Sequence, residues 1–155
     1  MVDASSSGDS GMSADIRPHV RNYIAVFEAL GPDRLDELVT LCAEDVRFVD
    51  PFNDVRGRRR FRAVFAKMFE DVADLHIDVR DWAVSGTTAY LRWRFAFRPK
   101  RSGRQWVLEG MSELHFDEAG VLRAHIDHWD AAGQLYEKLP GIGWLLRRIR
   151  HRLAA

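Results

Sequence analysis

"TAYLRWRFAF", residues 88–97, alternates from end to end: Leu91, Trp93, Phe95 and Phe97 fall on one side, Arg92 and Arg94 on the other. A period of two marks a strand with one buried face, because successive side chains of an extended chain point to opposite sides. The pattern continues both ways. "LHIDVRDWAV" (75–84) precedes it. "QWVLEGMSELHF" (105–116) follows the polar turn "PKRSG" and gathers Trp106, Leu108, Gly110, Ser112, Leu114 and Phe116 on one face. "DEAG" (117–120) reads as a hairpin turn, and "VLRAHIDHWD" (121–130) as the last strand.

Upstream the period changes to that of a helix. Val20, Tyr23, Ile24, Phe27 and Leu30 recur at spacings of three and four, and Gly31-Pro32 ends the stripe. A shorter helix from about Asp33 turns Leu35, Leu38, Val39 and Cys42 inward. "DVRFVDP" (45–51) is a strand, and Gly57 opens a third helix carrying Phe61, Val64, Phe65, Met68 and Phe69. Helices followed by a run of strands form the α+β pattern. The expected architecture is a curved antiparallel sheet with three N-terminal helices on one face, enclosing a cone-shaped pocket, plus a C-terminal helix. Residues 1–14, small and Ser/Gly-rich, read as a disordered leader, 15–140 as the cone domain and 141–155 as a basic helix.

A chain of 155 residues, 46% hydrophobic and 30% charged, is sized for one soluble domain. Its 23 basic and 23 acidic residues balance, so overall charge points to neither nucleic acid nor membrane as a partner. The single cysteine, Cys42, excludes an intrachain disulfide and a cysteine-based zinc cluster. With no secretory signal pattern and no apolar run of spanning length, a cytoplasmic protein is expected.

The chemistry lies in the exceptions to the apolar faces. "FVDPFND" (48–54) sets Asp50 on the side of its strand that carries Val46 and Phe48. Asp50 is either an Asx-type turn residue or a carboxylate aimed into an apolar space, where it could serve as a general base. Tyr23 sits on the buried stripe of the first helix, and its hydroxyl needs a partner: a carbonyl, a carboxylate, or an oxyanion on a ligand. In "AHIDHWD", alternation groups His125, Asp127 and Trp129 against Ile126, His128 and Asp130. Leu122, Ala124 and Ile126 argue that the His128 face is inward, and Trp129 argues for the other. His125 and Asp127 supply two ligands where a metal needs three, so no metal is expected. Ser112 could donate one hydrogen bond inward, but no nucleophile motif surrounds it.

Two basic clusters stand apart. Arg58, Arg59 and Arg60 occupy the first turn of the third helix, where the dipole disfavours cations unless Asp45, Asp54 or an acidic ligand offsets them. "WLLRRIRHRLAA" (144–155) has the pattern of a basic amphipathic helix. Such a helix can lie on an anionic membrane surface or nucleic acid, and more often caps the domain or a neighbouring subunit.

The stretches "YIAVFEA", "LVTLCAEDVRFVDP", "GRRRFRAVFAKMF", "GMSELHFDEAGVLRAHIDHWD" and "AAGQLYEKLP" together resemble the SnoaL-like branch of the nuclear transport factor two-like superfamily. That superfamily includes ketosteroid isomerases, polyketide cyclases and limonene epoxide hydrolases. The resemblance spans roughly residues 17–140. It implies that Asp50-Pro51 matches the general base of the ketosteroid isomerases and Tyr23 their oxyanion-binding tyrosine. Ser112 stands where those isomerases carry a protonated aspartate. Asp127 matches the last-strand aspartate of the epoxide hydrolases, whose Arg-x-Asp pair is replaced by Trp93 and Phe95. The comparison also favours the His125/Asp127/Trp129 face as inward.

The resulting expectation is an apolar pocket lined by Phe48, Trp93, Phe95, Leu108, Gly110, Ser112 and Trp129, with Tyr23, Asp50, His125 and Asp127 as its catalytic points. It would take a steroid, terpenoid or polyketide-like ligand, need no cofactor, and act as an isomerase or cyclase. The alternative is a non-catalytic binding or interaction module. A homodimer is expected, with no nucleic acid bound.

Overall fold

A computed structural model of the chain describes residues 15–138 and 142–153. The leader expected over residues 1–14 lies outside them. α1 (Arg17–Glu28) begins with Pro18 in its first turn, where a missing N–H costs nothing, and buries Val20, Tyr23 and Phe27 along its apolar stripe. After a 3₁₀ turn at Pro32–Arg34, α2 (Leu35–Thr40) runs for only six residues. Cys42, expected on that helix, instead starts the first strand, β1 (Cys42–Val49). Thr40 closes α2 by donating its hydroxyl back to the Glu37 carbonyl at 2.6 Å.

β2 (Asp54–Arg56) follows, then α3 (Arg58–Asp71), β3 (Val72–Ser85), β4 (Thr88–Pro99), β5 (Trp106–Phe116) and β6 (Leu122–His128). A one-turn α4 (Ala131–Gln134), capped by Asp130 on Gly133 N, and α5 (Ile142–Leu153) complete the described chain. No helix among the described residues is long and apolar enough to cross a membrane.

The curved antiparallel sheet wrapped into a cone is not what forms. The six strands make one open sheet in the order β2-β1-β6-β5-β4-β3, so β2 and β3 are free edges. The sheet is also mixed, because β1 runs parallel to β6 while every other pair is antiparallel. The parallel pair follows from the connection: α3 and four strands intervene between β1 and β6, a crossover long enough to bring the chain back in the same direction. α1 packs against β3, and α3 against β1 and β3. The core between helices and sheet is built from Phe27, Val46, Phe48, Phe61, Leu91, Leu114 and their neighbours.

Register breaks decide which residues reach that core. On β6, Leu122 pairs with Phe116 and Ala124 with His115, so Arg123 is an extra residue with no opposite number. A bulge of this kind inverts the alternation beyond it. Leu122 and His125 are therefore both fully buried although three residues apart. β3 carries a similar break at Arg80, between Val79↔Trp93 and Asp81↔Arg92.

At the basic start of α3, Arg58 takes partners other than Asp45 and Asp54. Arg58 donates to the Cys42 carbonyl and pairs with Glu44 at 2.6 Å. Asp54 is taken by Arg47, and Asp45 by Arg123. Gly57, at φ +91°, makes the turn into the helix, a conformation that residues with a Cβ rarely adopt.

Candidate functional site

Between α3 and the inner face of the sheet lies a cavity of about 310 Å³. Phe48, Trp93, Phe95, Leu108 and Trp129 line it from the sheet side, and Val64, Phe65 and Met68 from α3. Its polar wall consists of Asp50, Asn53, Lys67, Asp71 and Asp127. Two of the expected catalytic points, Asp50 and Asp127, thus share one wall. Tyr23 and His125 stand behind it.

Asp50 leaves β1 at its C-terminal end, where Pro51 breaks the strand. Its Oδ1 accepts from the backbone N–H of Phe52 (2.7 Å) and Asn53 (2.6 Å), and from the Asn53 side chain (2.9 Å). Among the described residues, Oδ2 accepts only from that same Asn53 amide, at 3.0 Å. Asp50 is therefore both an Asx-type turn residue and a pocket carboxylate.

β6 supplies the second polar point. Past the Arg123 bulge, His125 and Asp127 face inward while His128 is 61% exposed. His125 is fully buried, with Nδ1 2.7 Å from the Tyr23 hydroxyl and Nε2 2.8 Å from Asp127 Oδ1. Ser112 donates to the same Oδ1 at 2.5 Å and itself accepts from Trp93 Nε1 at 2.8 Å. α1, β4, β5 and β6 each contribute to this chain, which runs from Tyr23 through His125 to Asp127 and back through Ser112 to Trp93. Burial, then the nearby Cys42 and Asp127, push the Tyr23 phenol well above its usual pKa, so its hydroxyl stays a donor.

Gly110 and Ser112, expected on the wall, lie behind it. A Cβ on Gly110 would come within 2.6 Å of the Trp93 ring and 2.8 Å of Trp129 Cβ. The bare glycine is what lets the indole lie across β5 and reach Ser112. Alternation and helical periodicity did not mark Phe52, Asn53, Lys67 or Asp71 as wall residues. Lys67 and Asp71 sit at the α3 rim, on the polar side of a helix read only for its apolar stripe. Phe52, 52% exposed, packs its ring against Trp129 (5.6 Å) and Tyr136 (6.1 Å). An aromatic between proline and asparagine in a turn was the available signal. Among the described residues, no group of three or more His, Cys, Asp or Glu could hold a metal ion.

Comparison with known proteins bears on the family. No curated protein matches the sequence. Several solved structures share the fold. TsrD from Streptomyces laurentii is 24% identical with a TM-score of 0.65, over 80% of this chain and 96% of that one. An NTF2-like protein of unknown function from Burkholderia pseudomallei is 18% identical with a TM-score of 0.67, over 76% and 92%. A protein of ketosteroid isomerase-like fold from Catenulispora acidiphila, in complex with trimethylamine, is 16% identical with a TM-score of 0.66, over 77% and 90%. The SnoaL-like domain model matches residues 20–125, from α1 to the buried histidine of β6. The chain therefore belongs to the SnoaL-like domain family.

Proposed function

We propose that this chain binds a hydrophobic, oxygenated small molecule of steroid, terpenoid or polyketide type and shifts a proton next to its carbonyl without a cofactor. Asp50 is the base. Asp127 orients the ligand or returns the proton, held by His125 and, through it, by Tyr23. The observation that supports the reading is the shared wall: Asp50 and Asp127 border one mainly apolar cavity, whose third carboxylate, Asp71, is paired with Lys67. Apolar walls with a few convergent polar groups are the usual form of a ligand site, and carboxylates there can work as acid and base.

A second reading, binding without chemistry, is favoured by the three N–H groups that occupy Asp50 Oδ1. Turnover of enone, steroid and polyketide-like substrates separates the two. With Asp50 as base, Asp50→Asn lowers kcat about 10²–10⁴-fold while KM changes little. Equal rates for wild type and variant would remove the base assignment and leave the binding module.

A further inference from the structure

The described cavity wall carries three carboxylates, Asp50, Asp71 and Asp127, against one cation, Lys67. Lys67 already bridges Glu70 at 2.9 Å and Asp71 at 3.3 Å, which leaves Asp50 and Asp127 without a cation among the described wall residues. Other wall donors are committed as well. Trp93 N–H goes to Ser112, and the Asn53 amide to Asp50. The remaining side-chain donor there, the indole N–H of Trp129, is neutral and cannot offset two carboxylates.

The direction of every proton behind Asp127 follows from donor inventory. Trp93 only donates, so Ser112 Oγ accepts from it and spends its own hydrogen on Asp127 Oδ1. Tyr23 has no partner but His125 Nδ1 among the described residues, so its hydroxyl donates there. His125 then carries its hydrogen on Nε2 and gives it to Asp127 Oδ1. Placing a proton on Oδ1 would turn this relay around and strand the Tyr23 hydrogen. Oδ1 is saturated.

Oδ2 is the opposite. It takes no hydrogen bond among the described residues, yet none of their buried polar side-chain atoms lacks a partner. Oδ2 is therefore the accessible oxygen of a residue that borders the cavity.

We infer that Asp127 Oδ2 is the specificity-determining acceptor of this pocket, and that its ligand presents a hydrogen-bond donor, a hydroxyl or an ammonium, at the end of an apolar body rather than a carboxylate. Ser112, Trp93 and His125 are positioning residues: they hold Oδ1 and so fix where Oδ2 points. The aromatic wall, with Phe48, Phe95 and the indoles of Trp93 and Trp129, suits either a neutral ring or a cation. This inference rests on the proposed ligand-binding role of the cavity and narrows its ligand class.

The test is isothermal titration calorimetry with four probes sharing one ring system: naphthalene, 2-naphthol, 2-naphthylmethylammonium and 2-naphthoate. Wild type is expected to bind the naphthol and the ammonium at least tenfold more tightly than the naphthoate. Asp127→Asn keeps an oxygen for Ser112 and His125 and turns its NH₂ to the cavity, so the ammonium-to-naphthoate preference should fall at least tenfold. Naphthoate binding wild type as tightly as the two donor probes overturns the inference, whether or not the variant folds. An unchanged preference in folded Asp127→Asn overturns it too. If none of the probes binds, naphthalene included, the ligand-binding reading itself falls, and this inference with it.

Discussion

Gly110 shows how much one missing carbon decides. Its Cα faces that of Trp93 across the β4–β5 ladder, and an added methyl would meet the Trp93 ring at 2.6 Å and Trp129 Cβ at 2.8 Å. The indole must move, and with it the N–H that Ser112 accepts. Gly110→Ala is expected to destabilise the fold by about 2–4 kcal/mol, combining overpacking with a broken buried hydrogen bond. Urea denaturation measures it. A loss under 1 kcal/mol would mean that the Trp93 ring is free to relocate. The same residue marks a limit of reading sequence. Alternation correctly groups Trp93, Gly110 and Ser112 with the inner face, but it gives the side of a sheet and not the depth. Gly110 and Ser112 look like wall residues until the tryptophan that covers them is placed.

At the level of elements, the strand order of chemistry-bearing residues hinges on Arg123. The alternation of "VLRAHIDHWD" left the inner face open because both answers are right, on either side of the bulge. Leu122 faces the core before it, and His125 and Asp127 face the core after it. Nothing in the local composition marks the inserted residue; it appears only when β5 and β1 are paired with β6. The parallel β1–β6 pair was equally hidden, since hairpin turns announce antiparallel neighbours and a long crossover announces none. A paired experiment isolates the bulge. Arg123→Ala removes one exposed contact to Asp45 and should cost under about 1 kcal/mol. Deleting Arg123 restores strict alternation and turns either Leu122 or His125 with Asp127 to the outside. Loss of cooperative unfolding is expected for the deletion alone. Matching thermal transitions for the two variants would show that β6 can slip its register at no cost.

For the whole molecule, two protonated groups buried between α1, β1 and the sheet set the alkaline limit of stability. Cys42 is fully buried and donates to the Leu38 carbonyl at 3.4 Å; burial pushes its thiol from 9.0 up to about 12, with Arg58 opposing. Tyr23 is likewise raised well above 10.0 by burial, with Cys42 and Asp127 adding to the shift. Both groups are neutral in the folded and unfolded chains below pH 9, so their burial is fully tolerated there. Above pH 9 the unfolded chain ionises its cysteine while the folded chain holds the proton, and stability falls until the folded thiol titrates near 12. Over that window the thiol alone accounts for a loss of about 4 kcal/mol at most. Tyr23 adds its own decline, starting near 10. Cys42→Ala removes the first component and leaves the second. Unfolding free energies at pH 8, 9, 10 and 11 should therefore fall from pH 9 in wild type but hold to about pH 10 in the variant, whatever constant offset the smaller side chain introduces. Parallel pH curves would show that the Cys42 proton is not what the folded core retains, and the burial of β1 against α2 would need another account.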